Sequence, residues 1–162
     1  SKKAIKETKC DAVKVEGGTR VKEIVKHLVK NKIPVLGHIG ITPQTAKGKF
    51  RSKGKNESEI RKLLKDARDL EQSGAFGMVL ECIYSDISKQ ITNAINIPTI
   101  GIGASVNCDG QVLVTDDLIG LNETKFRFVK KFGNIKKDIK SAVIKYKNSV
   151  KQRKFPSKKN SY

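Results

Sequence analysis

The chain has 162 residues, 37% hydrophobic and 31% charged; 34 Lys and Arg stand against 16 Asp and Glu, for a formal net charge of +18. That length suits one domain or part of a larger one, and the apolar share is too high for a disordered chain. No apolar run approaches the roughly 18 residues of a membrane helix, so no membrane partner is expected. The chain opens on Ser1 without Met or a signal-peptide pattern, so the true start is expected to lie elsewhere and secretion gets no support.

Short apolar runs alternate with longer amphipathic ones. Residues 11–16 read as a strand ending at Gly17-Gly18. A helix follows from Thr19, with Val21, Ile24, Val25, Leu28 and Val29 on one stripe. Residues 33–38 form the next strand. The Gly, Lys and Ser-rich stretch 40–58 is long for a loop in a compact domain, and such loops often serve as lids. Asn56 and Glu59 resemble a capping box, opening a helix to about Gly74 with Ile60, Leu63, Leu64, Ala67 and Leu70 on one face. Residues 76–82 are a third strand, 85–95 a third helix with Ile87, Ile91 and Ile95 on one face, 99–103 a fourth strand and 111–115 a fifth. A last helix aligns Ile135, Ile139, Val143, Tyr146 and Val150.

Strand alternating with helix predicts an α/β fold with a parallel sheet and right-handed crossovers. An open doubly wound sheet and a (β/α) barrel both satisfy that order. The side chains favour the barrel: Val13 and Val15 face one way, Lys14 and Glu16 the other. Central strands of an open sheet are normally apolar on both faces, whereas barrel strands carry polar groups inward near their C-terminal ends. His38 and Glu81 likewise end apolar strands, so three consecutive strands are expected to deliver ionisable groups to one rim.

Glu81 lies in the run Gly77-Met78-Val79-Leu80-Glu81-Cys82. A carboxylate there is costly to bury ionised and unpaired, and it suits a general base as well as a solvated strand end. Glu16 is a candidate ligand for a hard cation such as Mg²⁺, or one half of an ion pair with Lys14. Lys14 could hold a substrate carboxylate, and His38 could donate to a bound oxyanion. Gly101-Ile102-Gly103 lacks the third glycine of a dinucleotide fingerprint and reads as a rim turn. Asp116-Asp117 reads as a helix N-terminal cap rather than a metal pair.

Cys10, Cys82 and Cys108 have no zinc spacing, and the odd count fits reduced structural thiols in a cytoplasmic protein. Residues 1–119 hold 20 Lys and Arg and 14 Asp and Glu, whereas residues 120–162 hold 14 and 2. Lys outnumbers Arg 28 to 6 and Trp is absent, so a solvated basic face and tail are expected rather than a nucleic-acid partner.

The stretches VKVEGG (13–18), PVLGHIGITPQ (34–44), LLKDARDLEQSGAFGMVLEC (63–82), IPTIGIGAS (97–105) and CDGQVLVTDDLIGL (108–121) together resemble the ketopantoate hydroxymethyltransferase family, over nearly the whole chain. The resemblance implies a (β/α)₈ TIM barrel, of which residues 1–162 are the C-terminal portion with about the last five strands. A basic helix and tail would start near residue 122. It implies hydroxymethyl transfer from 5,10-methylenetetrahydrofolate to 3-methyl-2-oxobutanoate, giving 2-dehydropantoate for pantothenate biosynthesis. Glu81 matches the proton acceptor, Glu16 a Mg²⁺ ligand, and Lys14 a keto-acid-binding residue; His38 stands in the active-site Gly-His motif and is expected to bind substrate. The family's N-terminal half, which supplies two more aspartate ligands and a substrate-contacting serine, has no counterpart here. Ser105, Tyr84 and Phe126 stand where the family usually has Gly, Pro and Pro. The resemblance further implies a homo-oligomer, or an N-terminal half supplied elsewhere. Two functional classes follow: the transferase, whole or split, and a non-catalytic remnant or basic interaction protein.

Overall fold

The computed structural model describes residues 2–43 and 51–162. Residues 44–50, part of the loop expected to act as a lid, lie outside the described residues. The chain divides into two compact units, 1–112 and 113–162.

The first unit opens with α1 (Lys2–Thr8), β1 (Val13–Glu16), a 3-10 turn (Thr19–Val21), α2 (Lys22–Lys30), β2 (Val35–Gly40) and α3 (Glu57–Gln72). It continues with β3 (Gly77–Glu81), α4 (Ser85–Ala94), β4 (Thr99–Ile102) and β5 (Gly110–Gln111). Every strand pairing is parallel, and the strand order is β1-β2-β3-β4-β5. Sequential order decides between the two expected architectures. Right-handed crossovers that always step the same way put every helix on one side of the sheet, whereas a doubly wound sheet needs a reversal of strand order. The sheet is therefore a five-strand portion of a barrel wall.

The two faces of the wall are unequal. Val35, Ile39, Met78 and Leu80 point toward the helices and join Val25, Leu28, Leu63, Ala67, Leu70, Ile87 and Ile91 in one core. The apolar stripes read from the sequence supply these helix positions. On the other face Val79 is buried, Leu36, Ile100 and Ile102 are half-buried, and Lys14 is exposed. β1 and β5 are the edges of the described sheet. A described sheet that ends at β1 and β5 after five strands is what an incomplete barrel must carry.

Local chemistry sets most element boundaries. The Asn56 side chain accepts from Glu59 N at 2.9 Å, as a helix N-cap should. The Glu59 carboxylate reaches back to Gly54 N and Lys55 N, both at 3.0 Å, and pairs with Arg51. One expected boundary changes, and one helix is added. The fifth strand is shorter and earlier than 111–115: only Gly110 and Gln111 find ladder partners on β4, and Thr115–Leu118 is helical. The apolar run Val112–Val114 reads as a longer strand, but the four residues of β4 leave little ladder to extend. Helix α1 went unread because so short an amphipathic segment carries little periodicity; it holds a Lys3–Glu7 ion pair and packs Ile5 against the core.

The second unit holds α5 (Thr115–Leu118) and α6 (Ile135–Lys151). Asp117 does not cap α5, whose N-cap is Val114. Its buried carboxylate accepts from Asn122 Nδ2 at 3.3 Å and Thr124 Oγ1 at 2.5 Å, tying down the loop that follows. In α6 the stripe from Ile135 to Val150 is exposed, so its amphipathic face is formed but uncovered.

Three carboxylates predict the acid response. A backbone N–H of Lys55 holds Glu59 below its ordinary value of 4.5. Hydrogen bonds from Lys65 and then Thr19 lower Asp69, and those from the Thr99 backbone and hydroxyl lower Asp109. A depressed folded pKa gives stability that is present above the unfolded pKa and lost as pH falls through the folded one. The urea midpoint should therefore be unaffected by these groups from pH 8 to about 5 and should fall below about 4.5. A midpoint unchanged down to pH 3 would contradict this.

Candidate functional site

Inner-face side chains stack in three layers. Lys14 and Leu36 pair in the lowest; Glu16, His38, Val79 and Ile100 form the middle; Gly40, Glu81 and Ile102 form the top, at the C-terminal ends of the strands. Layers of this kind fill barrel interiors, and catalytic groups gather at the C-terminal rim.

Three of the four expected residues meet. His38 Nδ1 lies 3.5 Å from Glu16 Oε1, and His38 Nε2 lies 3.1 Å from Glu81 Oε2. The imidazole is 1% exposed, against 8% for the Glu16 side chain and 18% for Glu81. Neither approach has hydrogen-bond alignment, and unliganded sites often show such loose contacts. His38 does not end its strand as expected: β2 runs on to Gly40, which places the ring one layer below the rim. The fourth residue, Lys14, sits two residues, about 6.6 Å along the strand, below Glu16, in the lowest layer.

The backbone around Glu81 is held on both sides. Its carbonyl accepts from Ile41 N at 2.9 Å. Cys82 N donates to Ile102 O at 2.9 Å, and Cys82 O accepts from Lys53 N at 2.8 Å. Cys82 has φ +51°, a left-handed conformation that turns the chain out of β3 directly after the carboxylate. Burial, and then the Glu81 charge, push the Cys82 thiol up, which suits a structural thiol. Cys10, Cys82 and Cys108 are all free, as expected.

Two anchors escaped the sequence reading. Asp66 on α3 is buried, accepts from Thr19 N at 2.8 Å and Thr19 Oγ1 at 3.0 Å, and pairs with Lys62 at 2.5 Å. Thr19 Oγ1 also donates to Asp69 at 2.7 Å. Together they clamp the Gly17-Gly18 turn that follows Glu16. In the sequence Lys62 and Asp66 look like a solvated i,i+4 pair, and only the burial of Asp66 reveals the clamp. Ser105, the second anchor, is buried and accepts from Ser85 Oγ at 3.2 Å, Asn107 N at 3.2 Å and Asn107 Nδ2 at 3.0 Å. It joins the start of α4 to the loop after β4.

The clamp makes a prediction. A Cβ on Gly18 would sit 1.9 Å from Asp66 Cγ and 2.4 Å from Asp66 Cβ. Gly18→Ala must therefore displace the Asp66 carboxylate from Thr19. We expect a loss of about 2–4 kcal/mol in urea unfolding; an unchanged midpoint would show the clamp to be incidental.

A cavity of about 700 Å³ opens near Gly18, Arg20, Lys53 and Lys62. It reaches Ile39 and Leu63, on the helix side of the sheet, and Glu81 and His38 do not line it. Glu16, His38 and Glu81 converge instead on the inner face.

Mg²⁺ prefers an octahedron of oxygens and usually takes one or two carboxylates plus other oxygens. Among the described residues no group of three or more His, Cys, Asp or Glu could hold a metal ion. Glu16 offers one carboxylate beside an imidazole, so these residues do not build a Mg²⁺ site by themselves.

A parallel, sequentially ordered β/α wall, with an acid–imidazole–acid row on its inner face at the C-terminal end, defines the class: a (β/α)-barrel protein. A profile of the family described as ketopantoate hydroxymethyltransferase matches residues 1–158, and the chain belongs to that family. It is similar to the 3-methyl-2-oxobutanoate hydroxymethyltransferase of Pelagibacter ubique, with 56% identity over 100% of this chain and 63% of that protein. Proteins of the same name from Clostridium botulinum (strain Langeland) and Saccharolobus solfataricus are 50% and 49% identical. These alignments cover 98% and 93% of this chain but 58% and 57% of those proteins. The chain thus spans about three fifths of the length of the curated relatives it matches.

Proposed function

We propose that the protein to which these residues belong transfers a hydroxymethyl unit from 5,10-methylenetetrahydrofolate to 3-methyl-2-oxobutanoate, giving 2-dehydropantoate. The observation that carries this is the Glu81 carboxylate, held at the end of β3 with His38 behind it at 3.1 Å. In this reading Glu81 takes the proton from C3 of the keto acid, beside the ketone. C3 then forms its new bond to the one-carbon unit, water supplies the hydroxyl oxygen and tetrahydrofolate leaves. Lys14 offers an ammonium to the keto-acid carboxylate. Mg²⁺ is the proposed cofactor, with Glu16 as one ligand and the others contributed by polypeptide beyond these 162 residues; when bound, it would stabilise the enolate oxygen.

Residues 1–162 are, on this account, one portion of a single barrel domain, basic from about residue 122. Five described strands where a (β/α) barrel has eight favour completion by an N-terminal half, in a homo-oligomer of whole chains or from a separate chain. Three free thiols favour the cytoplasm, and no described helix is long and apolar enough to cross a membrane. The incomplete metal set favours a second reading for the 162 residues taken alone, that of a non-catalytic remnant or basic interaction protein.

Proton exchange tests the first step without the folate. In D₂O the C3 proton of 3-methyl-2-oxobutanoate should exchange faster with the protein present, read by the loss of its NMR signal. An exchange rate equal to that of buffer, in a folded protein completed by the missing segment, would refute the assignment.

A further inference from the structure

The geometry points to His38 as a positioning residue, a ring set between Glu16 and Glu81 that fixes the orientation of both carboxylates without touching substrate. This rests on Glu81 being the base, and it departs from the expectation that His38 binds substrate.

Three observations carry it. The two ring nitrogens face opposite ways, and each has a carboxylate in front of it, at 3.5 Å and 3.1 Å. Each nitrogen is faced by a carboxylate, although neither contact is an aligned hydrogen bond. The ring is 1% exposed, whereas both carboxylates retain some exposure and would meet a ligand first. The ring's own backbone is fixed, because His38 pairs with Glu16 and Val79 across the sheet and its carbonyl accepts from Gly17 N at 2.9 Å. A buried imidazole with two imperfect contacts is costly unless charge on either side favours it. A stiff ring between two flexible carboxylates removes rotamers that would turn either one away.

Two near-isosteres separate the contacts. Asn places its amide nitrogen near the position of Nδ1, and Gln places its own near Nε2. His38→Asn should therefore keep the contact to Glu16 and lose that to Glu81, and His38→Gln should do the reverse. The probe is the 162-residue chain carrying ¹³C at the glutamate Cδ atoms. We expect His38→Asn to shift the Glu81 resonance and His38→Gln to shift that of Glu16. Glu81→Gln should shift Glu16 through the intact ring but not in a His38→Ala background. Glutamate resonances that ignore all of these changes would overturn the proposal, as would ring resonances that move on adding 3-methyl-2-oxobutanoate while both carboxylates stay still.

Where proton exchange is measurable, His38→Asn should lower kcat by about 10–100-fold at nearly constant KM, and His38→Gln should recover most of it. A substrate contact would instead raise KM in both. If the protein completed by the missing segment shows no exchange, that counts against the transferase reading, and the glutamate resonances still decide the role of His38.

Discussion

Glu81→Gln should cut C3 proton exchange of the keto acid by about 10²–10⁴-fold, the usual contribution of a positioned general base. That range corresponds to about 3–5.5 kcal/mol of transition-state stabilisation. The amide keeps the shape of the carboxylate and its neighbours on β2 and β4, so the loss reports the missing proton acceptor and not a collapsed rim. The unfolding midpoint should change little, since the Glu81 side chain is partly exposed and its backbone, not its carboxylate, carries the bonds to Ile41 and the rim. A variant with parental exchange would move the base elsewhere.

Gly40→Ala should be the most damaging single change to the wall. Gly40 has φ +100°, a conformation that L side chains rarely adopt. A Cβ there would lie 2.1 Å from the Glu81 carbonyl oxygen and 2.9 Å from Ile83 Cγ1. The carbonyl is backbone and cannot swing aside, so β2 and β3 must separate just where Ile41 N reaches Glu81 O. Strain and overpacking together should destabilise by about 4 kcal/mol. Gly110→Ala is the control, because its Cβ would meet only Ile100 Cγ1 at 3.9 Å. Equal unfolding midpoints for the two variants would contradict the argument. The change at Gly40 should also displace Glu81, so exchange should fall even where the variant remains folded.

The fold was legible because its core is written in periodicity. The helix stripes around Leu28, Leu70 and Ile91 and the short apolar strands between them specify parallel β/α order. The choice of barrel over open sheet was visible in the alternation of Val13, Lys14, Val15 and Glu16, and the strand order bears it out. The row of Glu16, His38 and Glu81 was legible for the same reason, since an ionisable group ending an apolar strand is costly to bury unless a neighbour or a ligand compensates it. What stayed hidden depends on contacts distant in sequence. Asp66 sits 47 residues from Thr19 and looks like a surface acid. Asp109 accepts from Thr99 N at 2.8 Å, a bond no local pattern announces. The depth of His38 depends on β2 outrunning β1, which strand propensity does not encode.

Clamp, rim bonds and buried ring share one consequence. They hold one side of a barrel rim in a described sheet of only five strands, so chemistry and completeness are separate properties of this chain. Transfer of the hydroxymethyl unit tests the central claim most directly. The 162-residue chain would be assayed with 3-methyl-2-oxobutanoate, 5,10-methylenetetrahydrofolate and Mg²⁺, alone and joined to the part of the Pelagibacter ubique relative that it does not match. The account predicts turnover in the joined protein and none, or far less, in the chain alone. A joined protein that folds cooperatively and forms no 2-dehydropantoate would contradict it.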